Sequence, residues 1–154
     1  MAWNTIIGQE RIKNILQRAI IEQKISHAYC FWGIEGCGKD ALALEFAKTI
    51  NCHHPIIDGN SINACDECAS CKSANSLQNA NVKLLFSLPT PKGTSGKDDS
   101  ALGKMSDEQI EEIKEQMNLK AENPYHKISM PGANQIKIAS VRDLKKTLSM
   151  TSIQ

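Results

Sequence analysis

The stretch 31-FWGIEGCGKDALALEFAK-48 decides how the chain is read. It passes from an apolar run through a glycine-rich turn into a helix-forming segment. From Gly33 to Lys39 it follows the phosphate-loop pattern G-x-x-x-x-G-K-[ST], but Asp40 stands where a Ser or Thr hydroxyl would hold magnesium. Gly36 and Gly38 allow backbone amides to converge on phosphate oxygens, where a side chain would block approach. The helix that follows adds positive potential, and Lys39 would reach the outer phosphates as a point charge. Cys37 sits in the same loop, where a thiolate can be reactive, although filling space is the plainer assignment. A glycine elbow that binds nothing is the alternative. Asp40 brings negative charge towards a triphosphate, so weak or absent hydrolysis is expected. The amides and Lys39 are still present, which leaves an occupied and an empty site both open.

Upstream, 27-HAYCFW-32 has the composition of a short strand buried on both faces of a parallel sheet, with Cys30 as plain core. Before it, 8-GQERIKNILQRAIIEQK-24 places Ile12, Ile15, Leu16, Ala19 and Ile20 at helical intervals. Downstream, the loop's own helix is predicted from about Gly38 to Asn51, burying Leu42, Phe46, Ala47 and Ile50.

After that helix, periodicity gives way to Pro, Gly, Asn, Ser and cysteine. Cys52, Cys65, Cys68 and Cys71 are spaced C-x12-C-x2-C-x2-C. Two-residue gaps let neighbouring thiolates turn onto one ion, and a distant fourth completes a tetrahedron, as in structural zinc sites. His53 and His54 are spare candidates, but four thiolates close the shell without them and leave no position for a reacting water. Four unliganded thiols in a polar loop are the alternative.

The run 82-VKLLFSL-88 reads as a second buried strand, and Pro89–Lys104 has the composition of a mobile loop. Ser106 with Gln109 makes a capping box for a mostly solvated helix whose thin stripe is Ile110, Ile113 and Met117. Then 134-NQIKIAS-140 is expected to be an edge strand or extended lead-in, with Ser140 capping a last helix that turns Val141, Leu144 and Leu148 inward. No apolar strand ending in Asp or Glu follows the phosphate loop before Gln154, and only two strongly apolar strands are legible. The expectation is the N-terminal part of a longer protein.

The whole chain of 154 residues suits one domain with a real core. With 41% hydrophobic and 23% charged residues, neither a membrane span nor wholesale disorder is expected, and no secretory signal is visible at the N-terminus. A cytoplasmic location follows, where six cysteines would stay reduced. A formal net charge of +1 disfavours autonomous binding to a phosphate backbone.

Taken together, 6-IIGQERIKNIL-16, 27-HAYCFWGIEGCGKDALALEFAKTINC-52, 65-CDECASC-71 and 136-IKIASVRDLKKTLSM-150 resemble the N-terminal ATPase-type module of bacterial clamp-loader subunits. The resemblance implies an α/β fold of the P-loop NTPase (AAA+) type, a parallel sheet flanked by helices, over residues 1–154. It also implies a small four-cysteine zinc-binding insertion over 52–81, whereas the loop and helix over 89–125 extend beyond the usual family pattern and are expected to be a further insertion without an assigned role. Asp40 points to the delta-prime branch of the DNA polymerase III clamp loader, a non-hydrolysing stator in a five-subunit ring that loads the sliding clamp on primed DNA. By that analogy Gly33, Gly36, Cys37, Gly38, Lys39 and Asp40 form a degenerate ATP site, Ile6–Gln9 lies near the adenine, and Cys52, Cys65, Cys68 and Cys71 hold Zn2+. Two other readings stay open: a true ATPase of the gamma/tau type whose Asp40 ligates magnesium, and a zinc-ribbon nucleic-acid binder.

Overall fold

The computed structural model describes residues 3–89 and 105–151, in two compact units. The first comprises Met1–Val82 with Ala121–His126, and the second Lys83–Lys120 with Lys127–Gln154.

The first unit is built on two amphipathic helices. A single 3-10 turn, Trp3–Thr5, precedes α1 (Glu10–Ile21), and α2 spans Lys39–Ile50. Trp3 and Ile6 from the turn meet Leu16 of α1 and Ala41, Leu42 and Phe46 of α2 in one core, with Ile20, Phe31 and Tyr125 packed against it. The stripes are narrower than the sequence pattern suggests, for Ile12, Ile15 and Ile50 are exposed. Half of the buried face of α2 is polar instead: Glu45, Lys48 and Thr49 are as inaccessible as Phe46.

The expected parallel sheet is not seen among the described residues. Residues 27–32 make no strand ladder. They alternate, as extended chain does. Tyr29 packs its ring edge-on to Phe46 at a 5.0 Å centroid distance and Phe31 joins the core, while Cys30 is exposed and Trp32 is 94% exposed. Phe31 is half-buried, but Tyr29 is still 38% exposed despite its contact with Phe46, so the segment is mostly at the surface and Cys30 is not core. Residues 82–88 likewise pair with no strand, although Leu88 is buried. Apolar composition supplies a face for packing, but a ladder needs the amides and carbonyls of a neighbouring strand.

The sheet that does form was not legible in the sequence. β1 (Ile56–Asp58) pairs antiparallel with β2 (Ser61–Asn63), Ile57 opposite Ile62. Gly59 takes φ 56° at the first position of the two-residue loop, a conformation glycine adopts without steric cost. β2 packs on α1, with Gln17 Nε2 donating to the Ile62 carbonyl at 2.9 Å. A short helix, α3 (Ala69–Asn75), follows and packs on α2.

In the second unit, which holds all but its last two residues, α4 (Asp107–Glu122) starts on the expected capping box. The Ser106 amide donates to Gln109 Oε1 at 3.1 Å and the Gln109 amide to Ser106 Oγ at 3.3 Å. Ile110, Ile113 and Met117 are only half-buried. α5 (Ile138–Thr151) begins where an extended lead-in was expected, so Ser140 lies inside its first turn and does not cap it. Val141 and Leu148 are exposed and only Leu144 is half-buried, against the expectation that all three face inward. Alternation at Ile136 and Ile138 was too short to outweigh the helical spacing that follows it. Most of the loop expected at Pro89–Lys104 lies outside the described residues.

Candidate nucleotide cradle and metal centre

Two groups of residues singled out in the sequence are assembled in the first unit, one at the start of α2 and one beyond its end.

At the start of α2 the glycine loop curls as its composition requires. Gly36 and Gly38 take φ 78° and 84°, where a Cβ would be strained, and Gly38 serves as the N-cap of α2. The loop closes on itself as well, for a Cβ on Gly33 would stand 3.1 Å from Cys37 Sγ. Lys39 turns back into the loop: its Nζ donates to the carbonyls of Gly33 at 3.0 Å and Ile34 at 2.6 Å, and lies 3.7 Å from Cys37 Sγ. Its ammonium is thus solvated by carbonyls of the loop it belongs to. Asp40 is exposed in the first turn of α2, where a carboxylate is favoured by the helix dipole.

The segment Ile6–Gln9 stands beside this loop and is held from two sides. The Lys13 ammonium, buried on α1, donates to the Ile6 carbonyl at 2.5 Å while pairing with Glu10 at 2.8 Å. The Tyr125 hydroxyl accepts from the Ile7 amide at 2.8 Å. Neither Lys13 nor Tyr125 stood out in the sequence. Lys13 lies on the apolar side of α1, a weak signal that was there to be read, whereas Tyr125 is 118 positions from Ile7 and carries none.

Beyond the end of α2, the four cysteines converge. The sulfurs of Cys52, Cys65, Cys68 and Cys71 all lie within 4.8 Å of one another. Cys52 and Cys65 are 3.5 Å apart, and Cys65 and Cys71 4.0 Å. A disulfide would need about 2.05 Å. A tetrahedron with metal–sulfur bonds of about 2.3 Å has edges of about 3.8 Å, so the donor set fits one thiophilic ion with no sulfur to spare. His53 and His54 are exposed and outside the sulfur group.

Backbone amides prepare these sulfurs for charge. Those of Cys65, Cys68 and Cys71 donate to the sulfurs of Cys52, Cys65 and Cys68 at 3.3, 3.4 and 3.4 Å. The spacing of two residues produces the last two of these, because each cysteine opens a turn whose amide, three residues on, points back at its sulfur. The amides of His53 and Cys71 pull the Cys68 thiol down to about 6, and those of Cys68 and Glu67 lower Cys65. Burial pushes Cys52 and Cys71 up. Thiols so divided give up their remaining protons when a cation takes all four sulfurs.

The cluster is anchored to α2 by charge. Lys48, 2% exposed, places Nζ 2.6 Å from Asp66 Oδ1 and 3.0 Å from Glu45 Oε2. Asn75 Nδ2 adds a 3.2 Å bond to the same Asp66 oxygen. The Lys48–Glu45 approach is an ion pair, and among the described residues neither Glu45 oxygen has a further hydrogen-bond partner. Burial raises the Glu45 carboxyl against the pull of Lys48. Burial also works to lower Lys48, but the Asp66 bond and the Glu45 charge outweigh it and hold the ammonium above its ordinary value. Asn79, buried, fastens α3 through the Ser70 carbonyl and hydroxyl, both at 3.0 Å.

Among the described residues no helix is long and apolar enough to cross a membrane. Comparison with known proteins gives relatives for part of the chain and a family for nearly all of it. It is 46% identical over 67 residues to the DNA polymerase III subunit tau of Bacillus subtilis, covering 44% of this chain and 11% of that protein. It is 38% identical over 68 residues to the tau/gamma subunit of Haemophilus influenzae, 44% of this chain and 9% of the relative. Against the gamma/tau subunit of Mycoplasma genitalium it is 41% identical over 69 residues, 45% and 11% of the two chains. The matched stretch thus spans about a tenth of the length of these relatives. No solved structure matches the chain. The model of the family described as "DNA polymerase III, delta subunit" matches residues 8–154, from the start of the Gly8–Lys24 segment through the cradle and the cysteine cluster to the end of the chain, and the chain belongs to that family.

Proposed function

We propose that the chain is a non-hydrolysing contact module of the bacterial DNA polymerase III clamp loader, of the delta-prime type. It would work in the cytoplasm within a ring of clamp-loader subunits and act on the sliding clamp and primed DNA through them. The carrying observation is the state of the cradle: Asp40 replaces the magnesium-holding hydroxyl, and Lys39 is engaged by the Gly33 and Ile34 carbonyls of its own loop. Gly33, Gly36, Cys37, Gly38, Lys39 and Asp40 then form a degenerate nucleotide site, and Cys52, Cys65, Cys68 and Cys71 hold a structural Zn2+.

The finer architecture belongs to the same proposal. Residues 1–154 form the N-terminal part of an AAA+-type domain, with 52–81 as a zinc-binding insertion and 89–125 as a second insertion. Support comes from the order of extended segment, glycine loop and helix, and from the sulfur spacing. Steady-state ATP turnover of the chain, alone and with the other clamp-loader subunits, tests it. The reading expects no turnover from this chain's own site, and an Asp40→Asn variant that leaves the complex's rate unchanged. Brisk turnover by the isolated chain defeats it.

The identity to tau and gamma/tau relatives favours a second reading, a hydrolysing gamma/tau-type subunit in which Asp40 ligates magnesium directly. The same assay separates the two, because that subunit would lose turnover on Asp40→Asn.

A further inference from the structure

The N-terminal turn and the glycine loop are joined by one residue from far along the chain. Tyr125 accepts the Ile7 amide on its hydroxyl at 2.8 Å, and its ring edge lies so close to Gly38 that a Cβ there would stand 3.0 Å from Cε1. The turn that carries it is tied locally: the Tyr125 amide donates to Asn123 Oδ1 at 3.0 Å and the His126 amide to the Asn123 carbonyl at 2.8 Å. The ring is therefore held in place by a preformed turn as well as by its own contacts.

We infer that Tyr125 is an internal occupant of the nucleotide cradle, filling its base side with a flat aromatic ring and a hydrogen-bonding edge. This rests on reading Gly33–Asp40 as a nucleotide site and on the clamp-loader resemblance, which puts the base beside Ile6–Gln9. A nucleoside triphosphate offers a base of the same character and a polyphosphate tail. To seat the base beside Ile7 it must displace the Tyr125 ring and take over the Ile7 amide, whereas a bare polyphosphate meets only the loop and Lys39. An internal competitor divides apparent affinity by the fraction of time it is out of the way. The same closeness adds to the positive φ at position 38: a methyl group there would press on the ring and push it back by a few tenths of an ångström.

The test is calorimetric titration of the full chain with ATP and, separately, with inorganic tripolyphosphate. Tyr125→Ala is expected to tighten ATP binding about tenfold while moving tripolyphosphate less than about twofold. Tyr125→Phe keeps the ring and gives up one hydrogen bond, so it should tighten ATP about threefold and release the Ile7 amide to hydrogen exchange. Adding Lys39→Ala to Tyr125→Ala should weaken ATP and tripolyphosphate alike, since Lys39 serves the phosphates that both carry. Unchanged ATP affinity in both tyrosine variants, with the Ile7 amide released, overturns the inference and leaves the non-hydrolysing reading standing. Equal tightening of both ligands overturns it too, since the ring would then block the phosphates and not the base. Tripolyphosphate and ATP that bind neither parent nor variants bring down the cradle itself.

Discussion

Lys48→Met would test the ion cluster between α2 and the cysteines. At 3.0 Å and an effective dielectric of about 20, the Lys48–Glu45 attraction is about 5 kcal/mol, but desolvation of two buried charges offsets much of it. A tighter bound comes from what Glu45 does when abandoned. With its side chain 1% exposed, it takes up a proton instead of staying charged. Holding a carboxyl of ordinary value 4.5 protonated at pH 7 costs about 3.4 kcal/mol. The Asp66 contact adds no more than about 1 kcal/mol, because that side chain is 38% exposed and screened. Burial already raises Glu45 in the parent, so part of that cost is present there, and Lys48→Met should lose up to about 3 kcal/mol at pH 7 in urea denaturation. The pH dependence has a definite sign. Burial places the folded-state pKa of Glu45 above its unfolded value, so the native state binds the proton more tightly, and stability is lost as pH rises from the unfolded value through the folded one. At pH 5 the protonation cost drops to about 0.7 kcal/mol, and most of the deficit should vanish. Glu45→Gln with Lys48→Met should recover much of it at pH 7. A loss below about 1 kcal/mol at pH 7, or an equal loss at both pH values, would refute the reasoning.

Three further outcomes follow from the other sites. Chelation, or Cys71→Ser, should remove one equivalent of zinc and unravel β1, β2 and α3, since metal affinity in such clusters is folding energy; amide exchange in 56–75 that stays protected without metal would count against it. Asp40→Thr should tighten Mg-ATP binding by removing a charge that faces the triphosphate, and titration calorimetry showing weaker binding would contradict the impaired-site reading. Ser106→Ala should cost about 1 kcal/mol and speed amide exchange at Gln109, the donor that loses its acceptor, with no change at α5.

How much of this could be read without coordinates differs by the range of the interaction. The sequence by itself determined what short spacing controls. A loop that must turn through Gly36 and Gly38 into a helix, the capping box at Ser106, and two x2 gaps that swing three cysteines towards one point are all settled within a few residues. What is in register over three or four positions is decided by backbone geometry, which composition reports directly. Only the tertiary structure decided what lies across space. It half-buries Phe31 and sets Tyr29 against Phe46 while leaving Cys30 and Trp32 bare, sinks Glu45 and Lys48 together on α2, and brings Tyr125 from the turn after α4 to the Ile7 amide. Those outcomes depend on which distant surface arrives to remove water from a side chain, and a linear pattern holds no record of that arrival.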